Sequence, residues 1–215
     1  MKPSSLNQML SKYTSSDFLD SLNTLESSLF LSKLVYADSL EVMRALPDKS
    51  IDLTLSDPPY DLSKEMIETA HKEIMRVSKA AIIFSPPENQ WLSPSQYGFW
   101  VKPISTKNTS KRYSRFVEMI FFYGDLAWNT DRHWSQYTNV FQDLVDGDTE
   151  HPYEKPISLI KRLILNHSNP GDIILDPYAG SCTTGVVCKM LGRNFIMVEN
   201  EKEYYDSSVI RLSKV

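Results

Sequence analysis

The sequence predicts an α/β fold, a mostly parallel sheet with helices on both faces. Three observations lead to this prediction. Short apolar runs typical of buried strands alternate with longer segments whose apolar residues follow helical spacing. A chain of 215 residues suits one domain, or one domain with an insertion. Its hydrophobic share of 41% and charged share of 23% are those of an ordinary globular protein.

The chain before residue 86 alternates regularly. Residues 1 to 30 carry apolar side chains near helical spacing and predict a helical extension. A strand, a helix, a strand, a helix and a strand follow, with a turn at 47–50 before the second strand. The predicted strands are 34–36, 51–56 and 80–84; one helix starts at Asp38 and Ser39, and the other is marked by Met66, Ala70, Ile74 and Val77.

The alternation is interrupted and then resumes. Residues 86–150 scatter Pro, Trp, Tyr and Asn around one convincing strand at 116–123. After them we predict a helix beginning at Pro156, a strand at 172–176, a helix from about Thr184 and a strand at 194–199. The chain therefore divides into an extension (1–32), a first half of the sheet (33–85), an insertion (86–150) and a second half (151–215).

Charge and cysteine content exclude several classes of protein. A formal net charge of -4 argues against a generic polyanion binder, so any contact with nucleic acid must be locally basic. Cys182 and Cys188 give neither a disulfide framework nor a metal-ligand spacing, and we expect no metal. With no signal peptide and no apolar run of about 18 residues, a cytoplasmic location is expected.

The segment 171–184 has the pattern of a nucleotide site. It runs from a strand through a loop of small residues into a helix, whose first N–H groups are free to bind a carboxylate or phosphate. Glu199 follows Asp176 at the end of the next predicted strand, where an acid can bind both hydroxyls of a ribose. A tight strand-to-helix turn is the alternative for the loop alone. The candidate cofactor-binding residues here are Asp176, Pro177, Tyr178, Gly180, Cys182, Thr183, Thr184 and Glu199.

A second motif, Asp57-Pro58-Pro59-Tyr60, follows the strand 51–56 directly. An amino group on a base is a poor nucleophile because its lone pair is delocalised into the ring. The Asp57 carboxylate and the Pro58 carbonyl can each accept one of its N–H groups and localise that lone pair. Pro59 helps to fix the extended backbone, and Tyr60 offers a face on which an extruded base can stack. The alternative is a proline-stiffened turn in which Asp57 caps the next helix.

Together these motifs resemble the amino-methyltransferase family of DPPY-type DNA adenine-N6 and cytosine-N4 methyltransferases, in its circularly permuted beta class. The match covers most of residues 33–211, with the DPPY element before the cofactor loop. The resemblance implies a Rossmann-like class I fold dependent on S-adenosylmethionine. It also implies that Asp38, in the segment before the tetrapeptide, contacts the cofactor adenine.

A third element supports this resemblance. The segment His151-Pro-Tyr153-Glu-Lys155-Pro156 resembles the family's HPxxKP element, which helps to hold the methionine end of the cofactor. It implies that Lys155, with Thr183 and Thr184, lies near the cofactor carboxylate. Cys182 and Tyr153 depart from the family, which usually has glycine and a small polar residue there. Since glycine tolerates positive φ far better, Cys182 could crowd the cofactor or need an altered backbone angle, and an inactive relative is an open alternative.

An acid-free basic stretch within the insertion is a candidate surface for DNA. Basic side chains interleaved with aromatic and amide residues suit phosphate contact together with base readout, although a solvated loop is the alternative. The insertion would then be a small recognition lobe. The candidate DNA-binding residues are Lys102, Lys107, Lys111, Arg112 and Arg115.

We therefore predict a DNA methyltransferase that uses S-adenosylmethionine to methylate a flipped base in double-stranded DNA, with adenine N6 as the target. The preference for adenine comes mainly from the resemblance, in which Asp at the first position of the tetrapeptide accompanies adenine enzymes. The resemblance also implies a prokaryotic or phage-encoded protein in which a homodimer is an option. Cytosine N4, RNA and protein amides remain alternative substrates, and a non-catalytic nucleic-acid-binding relative is the alternative outside enzymes.

Overall fold

The fold is built on an eight-stranded sheet. The computed structural model describes residues 32–86, 93–102, 116–129, 131, 133–144 and 154–215. Five of the sheet's strands are mutually parallel, and they come from both halves of the chain. The strands are β1 (Ser32–Tyr36), β2 (Ile51–Ser56), β3 (Ser78–Ser85), β4 (Gln96–Val101), β5 (Val117–Gly124), β6 (Val140–Phe141), β7 (Ile173–Asp176) and β8 (Asn194–Glu199).

The sheet has the order β1-β8-β7-β2-β3-β5-β4-β6. Neighbours from β1 to β3 pair in parallel, β5 runs antiparallel to both β3 and β4, and β6 pairs in parallel with β4. Because β1, β8, β7 and β2 are adjacent and parallel, their carboxyl ends meet at one edge of the sheet. The loops that follow these four strands carry most of the predicted site residues.

Five α-helices cover the sheet in the part of the chain that the structure describes. Side chains cap the first two helices, since Asp38 accepts a hydrogen bond from the Glu41 amide and Ser63 accepts one from the Met66 amide. Within the described residues, no helix is long and apolar enough to span a membrane. The helices are α1 (Ser39–Ala45), α2 (Lys64–Val77), α3 (Ile157–His167), α4 (Thr183–Leu191) and α5 (Lys202–Ser213), with a 3₁₀ turn at Trp134–Tyr137.

Strand residues alternate between two cores, one on each face of the sheet. Leu34 and Leu53 belong to the core that holds residues of α3, α4 and α5. Val35 belongs to the other core, with residues of α1 and α2. Because successive strand side chains point to opposite faces, a parallel strand buried on both sides needs an almost continuous apolar run. The strands β3 and β8 have this pattern, whereas β2 alternates apolar residues with Asp52 and Thr54.

The predicted fold class is confirmed, and the predicted elements within the described residues are found with boundaries that match or shift by one or two residues. Pro156 lies at the N-cap of α3, one position before its predicted place, and Met66 in the first turn of α2 is half exposed. Strands β4 and β6 and helix α5 were not predicted. Since β4, β5 and β6 extend the main sheet, the described part of 86–150 is integrated into it. A recognition role for that region remains a prediction, and the extension 1–31 lies outside the described residues.

Candidate active site

A cavity of about 720 Å³ lies at the carboxyl edge of the parallel strands. Ligand sites usually occupy about 300–1,000 Å³ and occur at this edge in open α/β sheets. Its walls are formed by the loops after β1, β2, β7 and β8, with Phe84, Lys155 and Ile160 from neighbouring elements. The two motifs that are far apart in the sequence, 57–60 and 176–184, therefore face the same space.

The tetrapeptide Asp57–Tyr60 lines one side of this cavity. Asp57 follows the last residue of β2 directly, so the rigid sheet fixes its backbone. The Tyr60 hydroxyl donates a hydrogen bond of 3.1 Å to Oδ1 of Asp57, and 36% of Tyr60 is exposed. The aromatic ring is thus accessible at the cavity, as stacking of a base requires.

Lys155 is an ion-pair partner of Asp57. Its Nζ contacts Oδ2 of Asp57 and lies 3.3 Å from Oε2 of Glu118 in β5. Glu118 also pairs through Oε1 with Lys102, next to the end of β4. Lys155 and Glu118 are both more than nine-tenths buried. The four side chains carry two positive and two negative charges, so the network balances charges that burial would otherwise make costly.

The pKa directions in this network follow from burial and from these neighbours. Burial raises the pKa of Asp57, the positive charge of Lys155 lowers it, and the negative charge of Glu118 raises it. Together these effects leave the pKa of Asp57 above its ordinary value. Burial lowers the pKa of Lys155, but Asp57 and Glu118 outweigh this and raise it. Burial raises the pKa of Glu118, whereas Lys155 and Lys102 lower it below the ordinary value. Lys155 and Glu118 therefore stay charged at neutral pH, and Asp57 is the group whose charge depends on its neighbours.

The loop after β7 is held by the carboxylate of Asp176. Its Oδ2 accepts a hydrogen bond from the Thr184 hydroxyl at 2.8 Å, and its Oδ1 accepts one from the Tyr178 amide at 3.2 Å. Burial raises the pKa of Asp176 to about 7. Five of the residues predicted to bind the cofactor line the cavity: Pro177, Tyr178, Gly180, Thr183 and Thr184.

Glu199 lies at the end of β8, beside this loop. Its Oε2 accepts a hydrogen bond from the Gly180 amide and its Oε1 accepts one from the Glu201 amide, each at 2.8 Å. The residue is 7% exposed and lines the cavity. Two backbone N–H groups thereby fix a carboxylate that retains further acceptor capacity toward a bound hydroxyl.

Cys182 is the N-cap of α4 and has a left-handed backbone, with φ 58° and ψ 30°. Its side chain is fully buried in the core, and Cys182 is not among the described residues that line the cavity. A Cβ on Gly185 would lie 2.6 Å from the Cys182 sulfur, which shows that the thiol fills the space beside Gly185. The altered backbone angle is therefore present, and the thiol lies away from the cofactor cavity.

The segment before α3 is tied to the cofactor loop by Glu154. Arg211 of α5 pairs with the Glu154 carboxylate and donates a 3.0 Å hydrogen bond to the Ser181 carbonyl. The Thr183 hydroxyl lies 3.4 Å from the same carboxylate. These contacts fix the backbone that presents Lys155 to the cavity.

The remaining predicted residues are placed as follows. Asp38 caps α1, between Ala37 and Ser39, which both line the cavity. Pro156 is buried beside Lys155, and Lys102 pairs with Glu118, so its charge already has a partner. The predicted residues His151, Lys107, Lys111, Arg112 and Arg115 lie outside the described residues.

Sequence reasoning missed Glu118, Glu154 and Arg211. Glu118 did carry a signal, because an acid inside the apolar strand Val117–Gly124 must be paired if it is buried. Its partners come from segments 16 and 37 residues away, as the pairs with Lys102 and Lys155 show, and no local pattern identifies them. Glu154 and Arg211 have ordinary polar surroundings in the sequence and carry no such signal.

Comparison with known proteins identifies the family. A family model for DNA methylases, N6_N4_Mtase, matches residues 95–210, more than half of the chain. The type II methyltransferase M2.LlaDCHI of Lactococcus lactis subsp. cremoris is 28% identical over 240 residues, covering 84% of this chain and 89% of the relative. The DNA adenine methyltransferase YhdJ of Escherichia coli (strain K12) is 28% identical over 241 residues, covering 83% of this chain and 82% of the relative.

Solved structures agree with this assignment. The complex of M1.HpyAVI with S-adenosylmethionine superposes with a TM-score of 0.69 and 27% identity, covering 85% of this chain and all of that one. The cytosine-N4-specific PvuII DNA methyltransferase has a TM-score of 0.67 at 17% identity, covering 85% of this chain and 88% of that one, a likeness of fold alone. The predicted fold, family and cofactor agree with these findings. The chain belongs to the DNA methylase family of N6/N4 amino-methyltransferases.

Proposed function

We propose that this protein transfers a methyl group from S-adenosylmethionine to N6 of an adenine flipped out of double-stranded DNA. The observation that carries the proposal is that Asp57–Tyr60 faces the loop 176–184 and Glu199 across one shared cavity. One wall suits an adenosine cofactor and the other suits an exocyclic amine. Family membership and the adenine methyltransferase among the relatives support the same reaction.

The described residues fit the cofactor. Ser56 lines the cavity, and its buried hydroxyl has no hydrogen-bond partner among the described residues, so a polar ligand group would satisfy it. Leu55, Ala179 and Val198 supply apolar wall. The start of α4 presents N–H groups suited to a carboxylate, and Glu199 presents an acceptor suited to ribose hydroxyls. The thiol of Cys182 does not obstruct this space, which removes the main argument for an inactive relative.

S-adenosylmethionine, when bound, supplies a methyl group on a positively charged sulfur. The protein must supply a target nitrogen with an available lone pair. Asp57 and the Pro58 carbonyl are acceptors only, and each can take one N–H of the amine. Holding both N–H groups out of the plane of the ring localises the lone pair on nitrogen. The Asp57 carboxylate then stabilises the positive charge that develops on nitrogen as it takes the methyl group, until the methylated amine loses one proton.

Tyr60 would hold the base in place. Its ring is exposed at the cavity, and stacking on an extruded base contributes about 1–3 kcal/mol. Its hydroxyl donates a hydrogen bond to Asp57, so the residue that stacks on the base also holds the carboxylate that binds the amine. A purine offers the larger face for this stacking, and an A·T pair opens at lower cost than a G·C pair. Both effects favour adenine over cytosine.

Recognition of DNA is assigned to the insertion 86–150, and the basic residues 107–115 remain its candidate contacts. Double-stranded DNA is the proposed partner, in the cytoplasm of a bacterium or a phage-infected cell. The bacterial origin of the related enzymes supports this setting. A homodimer that completes the recognition surface stays a prediction.

The decisive experiment is product analysis after reaction with isotopically labelled S-adenosylmethionine. Double-stranded DNA, RNA and protein are offered separately, and the DNA is digested to nucleosides for mass spectrometry. N6-methyladenine in DNA is expected; N4-methylcytosine alone would change the base, and label only in RNA or protein would refute the substrate. Asp57→Ala should lose about a hundredfold or more in rate. Asp206→Ala, which breaks an exposed pair with Lys202 on α5, is the matched control and should keep normal activity.

A further inference from the structure

Glu118 is a charged residue in a strand that is otherwise apolar. It lies in β5 opposite Trp100 of β4 and is 5% exposed. Burying an isolated carboxylate is costly, so such a group is retained only with partners. Glu118 does not belong to the described residues that line the cavity, but it lies within hydrogen-bonding reach of two that do. One is Tyr60, and the other is a charged side chain that also pairs with Asp57.

That side chain is Lys155. Its Nζ lies 3.3 Å from Oε2 of Glu118 and contacts Oδ2 of Asp57, so two carboxylates share one ammonium group. The aromatic rings of Phe84 and Trp100 lie 5.2 and 5.7 Å from the same Nζ and leave it little freedom to move. Glu118 in turn is held by Lys102.

Sharing has a chemical consequence for Asp57. An ammonium group that binds one carboxylate alone attracts it more strongly than one that binds two. If Glu118 were neutral, Lys155 would act on Asp57 alone, and Asp57 would be a weaker acceptor for a target amine. If Lys155 were absent, burial would favour the protonated form of Asp57, which accepts fewer hydrogen bonds.

We propose that Glu118 is a positioning residue that shares Lys155 with Asp57: Lys155 keeps Asp57 ionised, and Glu118, by drawing on the same ammonium group, leaves the Asp57 carboxylate able to accept the N–H of the target amine. This inference rests on the proposed function of Asp57. The other groups that face Asp57 are the Tyr60 hydroxyl, which donates to it, and the Asp176 carboxylate of β7. Lys102 faces Glu118 from the end of β4.

The variant Glu118→Gln tests the proposal because it removes the charge and keeps the shape. The negative charge of Glu118 raises the pKa of Asp57, so its loss should lower that pKa. The acidic limb of the pH profile of methyl transfer should move to lower pH by the same amount. The rate on the plateau should fall about tenfold or more, with a smaller change in KM for the cofactor.

Two control variants separate positioning from stability. Glu118→Asp keeps the charge, so its acidic limb should coincide with that of the wild type even if its rate is lower. Glu73→Gln breaks a partly buried ion pair with Arg76 on the opposite face of the sheet and should leave both the limb and the rate unchanged. If Glu118 acted in stability alone, its variants would have lower melting temperatures, and the acidic limb of the pH profile of methyl transfer would stay in place in every variant.

A readout independent of activity distinguishes this inference from the proposed function. The Asp57 carboxyl carbon is titrated by ¹³C NMR, with Asp57→Asn identifying its signal. A lowered Asp57 pKa in Glu118→Gln supports the inference even if the wild type methylates no DNA, in which case the proposed function fails. An active wild type with an unmoved Asp57 pKa and an unmoved acidic limb in Glu118→Gln overturns the inference.

A double variant guards against the possibility that Glu118→Gln fails to fold. Lys102→Met with Glu118→Gln removes one charge of each sign and leaves Asp57 and Lys155 in place. It should lower the Asp57 pKa as Glu118→Gln does. If neither variant folds while Glu118→Asp titrates as the wild type, Glu118 acts in stability and the proposal is wrong.

Discussion

The position of Cys182 beside the cofactor loop leads to a quantitative prediction about Gly185. Cys182 has φ 58°, and a Cβ on Gly185 would lie 2.6 Å from its sulfur. Overpacking a core costs about 1–3 kcal/mol, while replacing glycine by alanine inside a helix gains about 1 kcal/mol. We therefore expect Gly185→Ala to lower the free energy of unfolding by up to about 2 kcal/mol in the wild-type background.

The cost of Gly185→Ala should largely disappear when it is combined with Cys182→Gly, although Cys182→Gly alone is itself destabilising. Removing the side chain relieves a left-handed backbone that costs about 1–2 kcal/mol. It also loses two buried atoms and adds freedom to the unfolded chain, which together cost about 2–3 kcal/mol. The single variant should thus be about 1 kcal/mol less stable than the wild type. With the sulfur gone, the nearest atom to an alanine Cβ at 185 is Cγ of Met197 at 3.1 Å, on a flexible side chain.

Urea unfolding of the four proteins in this double-mutant cycle gives the coupling energy, expected to equal the overpacking cost of about 1–3 kcal/mol. Calorimetry with S-adenosylmethionine is the second assay. Because the thiol points into the core, Cys182→Gly should bind the cofactor within about threefold of the wild type. Additive effects on stability would refute the packing argument. An affinity gain above about tenfold would show instead that the thiol crowds the cofactor.

Three further predictions concern the cofactor site and DNA contact. Glu199→Ala should weaken cofactor binding by about 1–3 kcal/mol, measured by calorimetry, because it removes a buried acceptor; an unchanged Kd would exclude Glu199 from the site. Burial raises the pKa of Asp176 to about 7 in the folded protein. Between about pH 4 and 7 the unfolded chain therefore releases this proton more readily than the folded protein does. The free energy of unfolding of the wild type should fall over that window relative to that of Asp176→Asn. A constant difference in melting temperature over that window would contradict the raised pKa. Neutralising Lys111 and Arg112 should reduce the slope of log affinity against log salt by about 0.9 per lost phosphate contact, and an unaltered slope would contradict phosphate binding.

The sequence alone determined the fold class and the two motifs of the site. Continuous apolar runs such as 80–84 and 195–198 are typical of strands buried on both faces, so the layered architecture follows from local composition. The tetrapeptide 57–60 and the loop 176–184 were recognisable because each is contiguous, and because each follows a strand whose end lies at a functional edge. Positive φ at residue 182 was also foreseeable, since the loop position calls for glycine.

Only the tertiary structure decided which partners these residues have. Lys155 was predicted beside the cofactor carboxylate, but its contacts with Asp57 and Glu118 depend on the pairing of β5 with β3 and on the approach of the segment before α3. The direction of the Cys182 thiol likewise depends on the packing of α4 against β8. Ion pairs and side-chain packing join residues distant along the chain, and their energies depend on burial that no local pattern records.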